Sequence, residues 1–226
     1  MVKKEAQPGI WTFEFQPRSG FKIKAGQHLL VNLPHENPDD RGTIRLFSPS
    51  SAPHEGMIRI TLQYFGDKGS SFKRALFQLI PNTEITIRGP VGTFLVKEPV
   101  VQPLVFIAGG VGITPIRSIL SELQANKVPY KGTLLYANHD TNYLFGEELE
   151  SFAKENINFS IRKITSPNLI HRETIEELNL NGNELFYVAG SPSFITSIVS
   201  ILKSLRIPSN RIKYDKFRPI KGGGYK

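Results

Sequence analysis

From about residue 103 onward, β-like runs alternate with helix-like segments, and this constrains the fold more than any other feature of the 226-residue chain. "PLVFIA", "TLLYA", "FSIRKI", "LFYVAG" and "RIKY" are short runs rich in β-branched and aromatic residues. Segments 115–125, 146–155, 172–178 and 193–205 lie between them and carry apolar residues at helical spacing. Parallel strands need a crossover connection, and a helix is the usual one. The pattern predicts an α/β domain with a doubly wound parallel five-stranded sheet.

The first hundred residues have a different rhythm. "IWTFEF" places Trp11, Phe13 and Phe15 on one face, and "HLLVNL", "TIRLFS", "MIRITLQY", "EITIRG" and "TFLV" follow between Gly, Pro, Asn and Asp turns. Short strands at such spacing predict an antiparallel β-barrel or sandwich. "SSFKRALFQL" is the exception: Phe72, Ala75, Leu76 and Leu79 share a helical face, with Ser70 or Ser71 placed to cap its start. The seam is "KEPVVQP", 97–103, where two prolines interrupt both patterns. Two domains are expected, 1–98 and 99–226.

Composition removes several chemistries. The chain has no cysteine, which excludes disulfides, thiolate zinc sites, cysteine-ligated iron–sulfur clusters and a cysteine nucleophile. No apolar run approaches the ~20 residues of a membrane-spanning helix. The first residues lack the apolar core of a signal peptide, so a cytoplasmic location is expected. The net charge of +8 serves either solubility or an acidic partner. Its basic residues are scattered, which argues against nucleic acid.

"VFIAGGVGITPIRSIL", 105–120, carries the sharpest local signal. A buried strand runs into Gly109, Gly110 and Gly112, then Thr114, a good N-cap, and Pro115, suited to a first helical position. Glycines between a parallel strand and a helix leave bare N–H groups where open sheets bind ligands, and they favour a phosphate. The alternative is a tight turn with close helix–strand packing. No lysine follows the last glycine, so this is not a P-loop, and the third glycine of a G-x-G-x-x-G fingerprint is missing. A second corner, Gly190-Ser191-Pro192, has the same strand–Gly–Pro–helix form; the two corners would suit a dinucleotide across a crevice, or be ordinary turns. In the first half, "GTIRLFSPSS" sets Arg45, Phe47 and Ser48 at a strand end, a cation, a ring and a hydroxyl. "GDKGSSFKRAL" offers Gly69, Ser70 and Ser71 at a helix start.

Taken in order, these pieces resemble the ferredoxin–NADP reductase-like flavoprotein superfamily over almost the whole chain. "RLFS" is similar to its Arg-x-Tyr-Ser motif, with Phe47 in place of Tyr. "GSSFKRAL" resembles its pyrophosphate-binding helix start, "GPVGTF" its Gly-Pro-x-Gly turn and "AGGVGITP" its nicotinamide-nucleotide loop. "VAGSPSF" resembles its second corner, and "YDKF" its acidic–aromatic end.

The resemblance implies a flavin-binding barrel, for FAD rather than FMN, followed by an NAD(P)-binding domain. It implies that Arg45 and the adjoining Leu46 meet the flavin, Arg45 at the pyrophosphate. Phe47 would pack on the isoalloxazine, with Ser48 near N5 as the catalytic residue. Gly69, Ser70 and Ser71 would hold the flavin phosphates. Gly110, Gly112, Thr114 and Pro115 would hold NADH or NADPH, with Gly190 and Ser191 at the second corner and Phe217 near the flavin. Hydride would pass between nicotinamide and flavin, and electrons would leave to a separate acceptor, an acidic protein such as ferredoxin or flavodoxin, or a small molecule. Phe47 lacks the phenol hydroxyl, and Ala189 stands where many members carry Cys. Thr165 and Ser166 occupy the usual place for 2′-phosphate recognition without a following Arg; Arg162, Lys163, His171 and Arg172 are nearby, and the reading leans to NADH. Two rival readings are a non-catalytic flavin-binding electron-transfer subunit and an oligonucleotide-binding barrel, which would leave the glycine loops without a role.

Overall fold

The computed structural model describes residues 1–215. Six strands form the first half: β1 (Val2–Gln7), β2 (Ile10–Phe15), β3 (His28–Asn32), β4 (Ile44–Phe47), β5 (Ile58–Gln63) and β6 (Thr86–Val91). They make two three-stranded antiparallel sheets, ordered β1-β2-β5 and β4-β3-β6. Alternation explains their facing. Phe13, Phe15, Leu29, Val31, Ile58, Ile60 and Leu62 point inward and meet Phe72 and Leu76 of helix α1 (Ser71–Gln78) in one core. Ser70 caps α1, its hydroxyl accepting from the Lys73 N–H at 3.3 Å.

"TFLV" does not form the strand its composition predicts. Gly92 adopts φ +99°, and Phe94 leaves the first core to pack edge-on against Tyr187 of the second half, ring centroids 5.4 Å apart. Burial across the domain seam outweighs the pairing preference of a short segment.

The second half is the expected parallel sheet. Its strands are β7 (Leu104–Gly109), β8 (Gly132–Asn138), β9 (Phe159–Thr165), β10 (Leu185–Ala189) and β11 (Ile212–Tyr214), ordered β11-β10-β7-β8-β9. Every adjacent pair is parallel. Helices α2 (Ile113–Ala125) and α3 (Gly146–Glu155) cover one face, and α4 (Arg172–Glu176) and α5 (Pro192–Ser204) the other. Alternate residues of β7 enter the two cores: Leu104, Phe106 and Ala108 pack under α2, Val105 and Ile107 under α5. A strand buried on both faces has to be apolar throughout, as "LVFIA" is.

Thr114 is not an N-cap. Gly110–Gly112 form a 3-10 turn that runs directly into α2, with Gly112 already at φ −62°, ψ −8°, so Thr114 and Pro115 fall inside the first helical turn. Pro115 is still harmless, since the first four N–H groups of a helix have no intrahelical partner.

Candidate functional site

The chain leaves β7 for β8 and β9 on one side, then returns to build β10 and β11 on the other. The switch point lies between the carboxyl ends of β7 and β10, the usual ligand crevice of such sheets. Both glycine corners sit there and touch each other. A Cβ on Gly112 would lie 2.5 Å from Gly190 Cα and N, so only glycine lets the two loops close. Gly110 takes φ +52°, a left-handed conformation. The second corner is held by Ser191, whose hydroxyl accepts from the Phe194 N–H at 3.2 Å, with Pro192 at the first helical position.

A cavity of about 1220 Å³ runs from this corner to the first half. Arg45, Leu46, Phe47, Ser48 and Ser70 line one side, and Gly110, Gly112, Thr114, Pro115, Gly190 and Ser191 line the other. Eleven of the fourteen sequence-expected residues therefore meet around one space. Gly69 and Ser71 do not line it: the Gly69 carbonyl accepts from Arg74, and the Ser71 hydroxyl accepts from the Asp39 N–H at 2.9 Å and lies 3.0 Å from His35 Nε2. Phe217 lies outside the described residues.

Ser48 belongs to a buried polar cluster with Asp215, the acid of the "YDKF" end, and with His28, which sequence reasoning missed. Its hydroxyl donates to Asp215 Oδ2 at 2.6 Å, so His28 Nδ1, 2.9 Å away, must donate to Ser48 Oγ. His28 Nε2 then faces Asp215 Oδ1 at 3.0 Å, a pairing that is attractive only with a proton between them. Asp215 Oδ1 is buried without a well-aligned hydrogen-bond donor among the described residues, and Asp215 lines the cavity. The cluster is assembled from three distant segments. His28 opens β3 one residue before Leu29, which pairs with Phe47, so the antiparallel register carries His28 opposite Ser48. Asp215 follows β11, its N–H donating to the Val188 carbonyl.

A second cluster surrounds Arg45. Its Nη1 donates to the carbonyls of Arg41, Gly42 and Ile44, and its Nη2 pairs with Asp39 at 2.6 Å. Its Nε is buried and has no partner among the described residues. Burial, and then the charge of Arg41, hold Arg45 below the ordinary arginine value despite Asp39. Burial works against ionising Asp39, but the Arg41 N–H and the charges of Arg45 and Arg41 outweigh it and lower its carboxyl. The region is cation-rich with an orphaned buried donor, which fits the phosphates of a flavin dinucleotide. Phe47, tilted against Phe72 at 5.8 Å, supplies a ring on the cavity wall between the two clusters.

At the far end of the cavity stand Asn138, His139, Ser166, Asn168 and His171. The basic residues near them in sequence are engaged elsewhere: Arg162 pairs with Glu177, Lys163 with Glu150 and Arg172 with Glu176. Thr165 Oγ1 shares a hydrogen bond with the Tyr143 hydroxyl at 2.7 Å. Among the described residues no group of histidines and acids could hold a metal, and no helix is long and apolar enough to cross a membrane.

Comparison with known proteins agrees with this geometry. Residues 6–95 match the family described as "Oxidoreductase FAD-binding domain", and residues 106–200 the family described as "Oxidoreductase NAD-binding domain". Flavohemoprotein A of Dictyostelium discoideum is 25% identical over 96% of this chain and 59% of its own length. The toluate 1,2-dioxygenase electron transfer component of Pseudomonas putida is 26% identical over 85% of this chain and 58% of its own. The chain thus spans under three-fifths of either relative. The cytochrome b5 reductase domain of Ulva prolifera nitrate reductase superposes with a TM-score of 0.80 at 18% identity, covering 95% of this chain and 94% of that one, a likeness of fold. Two matched domains in this order, on a barrel-like half and a doubly wound half that meet at one crevice, place the chain in the ferredoxin–NADP reductase-like superfamily, among oxidoreductases built from an FAD-binding and an NAD-binding domain.

Proposed function

We propose that this protein is an NADH-oxidising flavoprotein that delivers electrons to a separate acceptor, with Ser48 at the centre of hydride transfer. The observation that carries the reading is the continuous cavity joining the Ser48–His28–Asp215 cluster to both glycine corners. Residues 1–98 serve as the flavin domain and 99–226 as the nucleotide domain. Bound FAD supplies hydride acceptance at its N5 and release of electrons one or two at a time. This chain's residues position the reactants and hold the accompanying proton. Arg45 offers its unpartnered Nε to phosphate, and Phe47 a packing surface for the ring. The Gly110–Gly112 turn and the Gly190–Ser191 corner present backbone to the nucleotide. Ser48 stands between the His28 imidazole and the Asp215 carboxylate, which together fix its hydroxyl at the cavity wall, and a proton between His28 Nε2 and Asp215 Oδ1 keeps that pair together.

The lean to NADH rests on charge. Arg162, Lys163 and Arg172 are each paired with a glutamate and do not line the cavity, so they offer little to a 2′-phosphate. An acidic protein acceptor suits the +8 charge, which would steer its encounter. Curated relatives described as electron transfer or reductase components of dioxygenases support the general role of passing electrons onward.

The test is spectroscopic. Purified protein should be yellow, release FAD on denaturation and bleach anaerobically with NADH faster than with NADPH. A colourless chain that takes up no flavin on reconstitution ends the reading; faster bleaching by NADPH overturns the NADH assignment alone.

A further inference from the structure

Lys73 has no role in anything derived above, and its situation is costly. It lies in the first turn of α1, where the helix dipole disfavours a cation. Its ammonium donates to the Gln63 carbonyl at 2.8 Å, and it has no ion-pair partner among the described residues. Burial, and then the charge of Arg41, lower its pKa. Lys73 lines the cavity together with Arg41 and Arg45. Arg45 and Arg41 share the carboxylate of Asp39, at 2.6 Å and 3.7 Å, and Lys73 feels the charge of Arg41 with no carboxylate of its own among the described residues. The hydroxyl expected to meet phosphate here, that of Ser71, is already occupied by Asp39 and His35. This excess of positive charge on the cavity wall, beside an Arg45 Nε with no partner among the described residues, is what a dianion would neutralise.

We propose that Lys73, with Arg41 and Arg45, binds the pyrophosphate of the flavin dinucleotide, taking the place the sequence assigns to Ser71. The proposal rests on the flavin reading of the cavity and adds the residue that reads the cofactor's charge. Lysine binds phosphate as a point charge and tolerates imperfect geometry. The Gln63 carbonyl holds the ammonium at the wall until phosphate arrives.

The experiment titrates the apoprotein with FAD and, separately, with uncharged riboflavin, following quenching of flavin fluorescence at two salt concentrations. Lys73→Met should weaken FAD binding roughly ten- to hundredfold, the worth of one charge-assisted hydrogen bond, and leave riboflavin unchanged. The salt dependence of FAD binding should become shallower, and Lys73→Arg should recover most of the affinity. Lys73→Met binding FAD as wild type overturns the assignment. So does equal weakening of FAD and riboflavin, which would show that Lys73 only fastens α1 to β5 through Gln63. A wild-type apoprotein that binds neither flavin overturns the flavin reading itself, and this assignment with it.

Discussion

Ser48→Ala isolates the chemical step from cofactor binding. The hydroxyl is buried, 5% exposed, and connects two groups: it donates to Asp215 Oδ2 at 2.6 Å and accepts from His28 Nδ1 at 2.9 Å. Alanine removes both bonds. A buried polar group left unsatisfied costs about 1–3 kcal/mol. If that cost falls on the transition state, where the proton and hydride are both in motion, hydride transfer slows roughly five- to two-hundredfold, at about 1.36 kcal/mol per tenfold. FAD content should stay near wild type, because the phosphate-facing cations lie elsewhere on the cavity wall. The assay is anaerobic stopped-flow bleaching of the FAD-loaded variant by excess NADH. Ser48→Thr keeps the hydroxyl and should recover much of the rate. A wild-type rate constant in Ser48→Ala, with only a lower melting temperature, would refute the argument and leave the hydroxyl as a strut between β4 and the segment after β11.

Gly112→Val should abolish nucleotide binding while flavin is retained, since its side chain would drive the two corners apart at a cost of about 1–3 kcal/mol; tight NADH binding by the folded variant would contradict it. Acid should loosen the domain contact: burial disfavours an ionised Glu55, but the Arg117 hydrogen bond, the Ala52 N–H and the charges of Arg117 and Arg59 outweigh it and lower its pKa. The stability this contributes is complete above the ordinary value of 4.5 and is lost as pH falls below it; Glu55→Gln should flatten that part of a melting-temperature profile. Reduction of an acidic carrier protein should weaken as salt rises from 0.1 M, where the Debye length is about 10 Å, while a small neutral acceptor responds much less; equal responses would assign the +8 charge to solubility.

Periodicity made the fold legible. The five parallel strands and four helices of the second half follow from alternating apolar runs and 3.6-residue spacing, and only element ends moved, by one or two residues. The glycine corners were legible as corners, but the reason for Gly112 was not. Its backbone angles suit any residue, and glycine is required because Gly190, 78 positions later, lies against it. Ser48 was visible through its motif, whereas His28 and Asp215 become its partners only through strand register and a parallel crossover. Lys73 reads as an ordinary helix-surface lysine until the cavity is seen. Ser71 does not line the cavity for a similar reason: a first-turn hydroxyl can face either the ligand or the preceding loop, and here it meets Asp39 and His35 of the 33–43 connection. Local pattern specifies elements, and long-range approach specifies sites.

The segment that carries Ser48 also carries the contact between the two halves, and this links stability to chemistry. Two residues on, the Ser50 carbonyl accepts from Arg117 of α2, and the Ser51 carbonyl accepts from the Ser118 hydroxyl at 2.7 Å. Glu55 pairs with Arg117, which also pairs with Glu148 of α3, while Arg59 of β5 binds Glu55 and Glu14. On the other flank, the Tyr187 hydroxyl and the Lys213 ammonium both donate to the Leu95 carbonyl, and burial pushes the Tyr187 phenol up to about 12, so it remains a donor. Taking Arg117 out of water is expensive, and a buried ion pair contributes little net stability against an apolar substitute. Its value here is registry. Hydride transfer needs donor and acceptor atoms about 3–3.5 Å apart, and an ångström of slip between domains costs far more in rate than in folding free energy. A directional network of five charged side chains, beside the apolar contact of Phe94 with Tyr187, ties the two halves together at defined atoms. Because that network begins two residues after Ser48, whatever holds the nucleotide domain in place also sets the serine against Asp215.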